Sequence, residues 1–65
     1  MGTMGQRVAW ARQRRGMTQG QLADAAGVSR MAVGRLERDD NKTVPHPGTL
    51  RLVALALDVD PLWLR

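Results

Sequence analysis

The stretch LADAAGVSRMAV, residues 22–33, constrains the fold of this chain more than any other. A run of good helix formers stops at Gly27, and a second helical run opens behind Ser29. Glycine readily takes the left-handed conformation that ends a helix, and serine is a preferred N-cap whose oxygen accepts a first-turn N–H. Upstream, Thr18 and Gln21 have the spacing of a capping box, flanked by Met17 and Leu22 as a hydrophobic staple. A helix is therefore expected from Thr18 to about Ala25. Val28 and Val33 staple the next helix, which should run from Ser29 to Arg38 and be closed by Asp39. Leu22, Ala23 and Ala26 must then face Val33 and Leu36 across a tight corner, with Val28 plugging it. Ala23 is small where the helices cross closely. Packing alone does not ask for such a break, so the break aims the second helix at something outside the protein.

The rest of the chain carries the same punctuation. Thr3 and Gln6 make another capping box, opening a helix that runs to Arg15 with Met4, Val8 and Ala11 on one face. Arg14 and Arg15 suit its negative end, and Gly16 terminates it. Residues 39–46 are polar and then proline-bearing, so they read as an irregular loop. Pro47 fits the first turn of a fourth helix ending near Leu57, with Leu50, Val53, Ala54 and Leu57 as its buried stripe. Asp60 and Pro61 read as the N-cap and first residue of a short fifth helix through Leu62, Trp63 and Leu64. Strand alternation is absent, and phenylalanine and tyrosine are missing. The fold class is all-α, one domain over residues 4–65, with residues 1–3 read as a tag remnant or disordered start. The end of the sequence just after an apolar helix favours an excised domain.

Composition narrows function. With 65 residues and no cysteine, neither disulfides nor thiolate metal sites support the fold. His46 alone leaves no zinc ligand set, so no metal and no cofactor is expected. A core this small supplies roughly 3–5 kcal/mol. Ten basic residues against six acidic ones give a net charge of +4. Arg7, Arg12, Arg14 and Arg15 all precede the first acid, Asp24. The excess points to an anionic partner; on charge alone, a solvated surface is the alternative. No apolar run is long enough to span a membrane and no signal peptide is visible, so a cytoplasmic protein is expected.

Two short helices joined by a glycine-containing turn form a helix-turn-helix. The segment MTQGQLADAAGVSRMAVGRLE resembles that motif in the phage repressor, Cro and XRE-type regulator family. RVAWARQRRGMTQ resembles the family's first helix, and LRLVALALDVDPLWL its fourth and fifth. The resemblance implies a compact five-helix, lambda-repressor-like domain that binds double-stranded DNA, usually as a homodimer on a near-palindromic operator. There are departures. The family often has glycine where Asp39 and Asp58 stand, and glutamate where Gly20 stands. The 39–46 loop is longer than in the compact phage repressors, and Asp39 and Asp40 would repel phosphate there.

The third helix reads as a binding surface. At 100° per residue, Val33 and Leu36 point inward and Arg30, Met31, Gly34, Arg35 and Arg38 form the opposite stripe. Arginine is shaped to grip guanine O6 and N7. The resemblance places Arg30, Met31 and Arg35 at base edges, with Met31 suited to a thymine methyl. Gly34 then gives the backbone a close approach to the groove. Arg38, near the helix end, reads as a phosphate ligand, joined by Asn41 and Lys42. Free N–H groups at the helix starts make Thr18, Gln19 and Ser29 candidate phosphate contacts. Gln19 is also placed to brace Arg30. Arg12 and Glu37 resemble a family salt bridge between helices one and three.

Trp10 reads as structural, covering a gap beside Ala11, and Trp63 reads as core. No triad or glycine-rich phosphate loop suggests an enzyme, and no small-molecule ligand is evident. The rival function is a protein-interaction module, antitoxin-like or polymerase-binding, that uses Trp10 and residues 50–64 with DNA binding secondary.

Overall fold

The structure, a computed structural model, describes residues 2–38 and 47–65. Five helices follow one another: α1 (Met4–Arg14), α2 (Gln19–Ala26), α3 (Arg30–Glu37), α4 (Pro47–Leu57) and α5 (Pro61–Leu64). No strand occurs among the described residues. Each expected helix is present within about a residue of its expected ends, the tolerance with which helix ends are defined at all. The Asp39 cap lies outside the described residues; α3 passes into Arg38 with right-handed backbone.

Local chemistry sets the starts. The Thr3 and Thr18 side chains accept from the N–H of Gln6 and Gln21, while those glutamines accept the threonine N–H groups in return. The Ser29 hydroxyl accepts from Ala32 N at 3.0 Å, and the Asp60 carboxylate from Leu62 N at 2.9 Å. Three ends share one closure, in which the N–H just after a left-handed residue reaches back five positions. Met17 donates to the Arg12 carbonyl, Val28 to Ala23 and Val59 to Ala54, at 3.0–3.1 Å. The intervening residue must be left-handed: Gly16 at φ 67° and Gly27 at φ 72°, but Asp58 at φ 57°. Only the third carries a Cβ into that region, at a strain cost.

α2 packs on α3 and α4, α1 on α3 and α5, and α4 on α5. They enclose one core, fully buried at Val8, Leu22, Val33, Val53, Leu57 and Leu64. The expected stripe of α4 is buried throughout, as are Ala23 and Ala26 at the corner. Met4, Met17 and Val28 pack against the core from its edge. The corner at Gly27 therefore seats α3 by its inner side and leaves its outer side uncovered.

Trp10 and Trp63 differ from expectation. Trp10 is 40% exposed and packs beside Trp63, ring centroids 5.8 Å apart. Trp63 is half-buried at the core's edge. Flat rings this large fit poorly among alanines and valines, so the two cover the α1–α5 seam from outside.

Candidate nucleic-acid interface

The four arginines of the first fifteen residues are committed to contacts within the chain. Arg7 donates to the carbonyls of Trp63 and Arg65 at 2.6 and 3.0 Å, capping α5, and lies against the Trp63 ring. Arg14 lies 4.9 Å from the centre of the Trp10 ring. Arg15 reaches the Leu57 carbonyl at the end of α4. Arg12 holds Glu37 in a two-point ion pair, Nε to Oε2 at 2.6 Å and Nη2 to Oε1 at 3.0 Å, and also donates to the Met17 carbonyl. The basic run that suggested an anionic partner thus works as a set of fastenings. Cations close to helix C-termini and tryptophan faces are favoured there on electrostatic grounds.

The α3 arginines are placed differently. Arg30, Arg35 and Arg38 are exposed, and none of their side chains makes a hydrogen bond or ion pair with another described residue. Met31 stands among them 67% exposed. Val33 and Leu36 are buried on the other side of the helix, so the stripe read from periodicity is the uncovered face. A shallow depression on it is lined by Gln19, Arg30, Met31, Gly34 and Arg38. A Cβ built on Gly34 meets nothing within 4 Å.

The start of α2 borders the same face. Its capping box uses the Thr18 hydroxyl and the N–H groups of Thr18 and Gln21. The backbone N–H groups of Gln19 and Gly20 take no partner among the described residues, which leaves two donors at the positive end of a helix. The Ser29 hydroxyl is occupied as an acceptor by Ala32 N. Asn41 and Lys42 lie outside the described residues.

Gln19 does not brace Arg30. Its Nε2 donates to Glu37 Oε1 at 3.2 Å. The NH2 end of the amide needs an acceptor, which the Glu37 carboxylate supplies and an arginine, having only donors, does not. Sequence spacing gave no signal for this contact, because Gln19 and Glu37 lie on different helices.

A short helix, a left-handed glycine corner and a second helix held by its inner side alone define a helix-turn-helix. The chain belongs to the XRE-type helix-turn-helix family, whose Helix-turn-helix description matches residues 8–64. No curated protein matches it. Among solved structures, it resembles the N-terminal DNA-binding domain of SinR from Bacillus subtilis at 33% identity, over 94% of this chain and 87% of that one, with a TM-score of 0.85. SinR, described as the master regulator for biofilm formation, solved in complex with DNA, is 32% identical over 95% of this chain and 97% of that one, TM-score 0.85. The DNA-binding domain of the P22 C2 repressor is 31% identical over 95% of this chain and 79% of that one, TM-score 0.81.

Proposed function

We propose that this chain is a sequence-specific transcription regulator that binds double-stranded DNA with α3 in the major groove. The observation that carries the reading is the uncovered α3 stripe, whose three arginine side chains have no partner among the described residues. The solved SinR complex with DNA supports it by likeness. Arg30 and Arg35 are assigned to base edges, where a guanidinium fork matches guanine, and Met31 to a thymine methyl. Thr18, Gln19, Ser29 and Arg38 are assigned to phosphates, together with Asn41 and Lys42. Gly34 allows the close backbone approach. The domain responsible is residues 4–65, working in the cytoplasm by binding and without catalysis. No helix among the described residues is long and apolar enough to cross a membrane.

The Cα trace extends 27 Å along its longest axis and carries one α3, whereas successive major-groove entries on one face of DNA lie ~34 Å apart. One copy covers one half-site, so the working unit is a dimer on a near-palindromic operator with half-sites about one turn apart. The test is duplex binding across a salt series. Each neutralised phosphate adds about −0.9 to the slope of log K against log salt. A steep slope and a dyad in DNA selected from a random pool are expected; flat binding refutes the reading. Exposed Leu52, Leu55 and Leu62 favour a second reading, a protein-interaction module, which predicts the flat result.

A further inference from the structure

Glu37 is an anomaly on the DNA-binding reading, since an acid on the recognition helix repels phosphate. We infer that Glu37 is a positioning residue for DNA binding: pinned by Arg12, it holds the Gln19 side-chain amide ready to donate to a phosphate. The inference rests on the reading above and deepens it. Glu37 is nearly buried, its side chain 9% exposed, and Arg12 both neutralises it and fixes the plane of its carboxylate. An ionised carboxylate only accepts, so the Gln19 amide must turn its NH2 end to Oε1. One amide N–H is used in that bond. The second remains, beside the open backbone N–H groups of Gln19 and Gly20. Gln19 lines the depression shared with Arg30, Met31, Gly34 and Arg38, so those donors border the proposed DNA face. A glutamine already ordered loses less rotamer freedom on binding than a free one, and that difference appears as affinity. The chain of contacts Arg12–Glu37–Gln19 thus connects α1 through α3 to the start of α2.

Glu37→Gln tests this with little change of shape. It leaves one acceptor oxygen where two served three donors: Arg12 Nε, Arg12 Nη2 and Gln19 Nε2. The charged guanidinium keeps that oxygen, and the NH2 that replaces the other can hold only the Gln19 amide oxygen, so the NH2 end of Gln19 loses its acceptor. Binding to a pool of random-sequence duplexes should weaken about 3- to 10-fold. In a Gln19→Ala background the same substitution should change binding by less than about twofold. The extra positive charge acts in both backgrounds and cancels in the cycle. Equal losses in both backgrounds would reduce Glu37 to a structural role and overturn the inference while leaving the DNA-binding reading intact. Absence of salt-dependent duplex binding by the unaltered chain would overturn both. If Glu37→Gln fails to fold, side-chain 15N relaxation of the unaltered chain decides. The Gln19 amide should be markedly more restrained than that of exposed Gln13, and equal mobility overturns the inference.

Discussion

Replacing Gly34 by alanine separates stability from DNA binding, because the two should move in opposite directions. Gly34 lies in mid-helix, inside α3 (Arg30–Glu37). A glycine there costs about 0.8–1.0 kcal/mol relative to alanine, mainly through backbone freedom lost on folding. A Cβ at this position meets nothing within 4 Å, so neither a clash nor new burial offsets the gain. A stabilisation of about 1 kcal/mol raises the melting temperature of a domain this size by about 4–8 °C. Against DNA the same methyl projects into the depression between Arg30, Met31 and Arg38. Overpacking of a close contact costs about 1–3 kcal/mol, so operator affinity should fall roughly 5- to 150-fold. Thermal melts and fluorescence anisotropy on a selected duplex measure both quantities on one preparation. A raised melting temperature with unchanged affinity would make Gly34 a solvent-facing position with no part in the interface. A lowered melting temperature would put Gly34 against the protein interior and refute the orientation of α3.

Arg35→Ala should lose about 1–3 kcal/mol on the selected operator and relax preference at one guanine, whereas Arg38→Ala should weaken all duplexes alike; identical behaviour of the two variants contradicts the division into base and phosphate contacts. Asp58→Gly should raise stability by about 0.5 kcal/mol, because relief of left-handed strain outweighs the extra freedom of glycine in the unfolded chain; denaturant titration showing a loss would mean the aspartate is well accommodated at φ 57°. Trp10→Ala should lower stability by about 1–2 kcal/mol through the lost Trp63 and Arg14 contacts while leaving the salt slope of DNA binding unchanged; an altered slope would bring Trp10 into the interface.

The helices were legible because their signals are short-range. A capping box is chemistry between residues three apart, a staple between residues five apart, and both can be read from Thr3, Thr18, Met17 and Leu22 without a fold. The uncovered stripe of α3 was legible for a related reason, since helical periodicity alone separates Val33 and Leu36 from Arg30, Met31 and Arg35. Contacts that depend on how helices meet were not. Trp10 finds Trp63, Arg7 finds the end of α5, and Gln19 finds Glu37 only after the helices have packed. The Arg12–Glu37 pair came into view through family likeness, because no local spacing marks it.

Arginine shows why charge counts are a weak guide to the interface. The sequence places four arginines before its first acid, and a patch of that density reads as an anion-binding surface. In the folded chain those four hold α5, the end of α4, the Trp10 ring and Glu37. A guanidinium that caps carbonyls or lies on an indole keeps its charge, but its donors or its face are committed, and moving it to a phosphate sacrifices the internal contact. Arg30, Arg35 and Arg38 have no such contact among the described residues to give up, so their binding to an anion carries only the cost of ordering their own side chains. The difference follows from helix position. α1 packs on α3 and α5, so its arginines lie within reach of helix ends and rings. α3 is held by Val33, Leu36 and the Glu37 ion pair on its inner side, and Arg30, Met31, Arg35 and Arg38 on its outer side meet solvent.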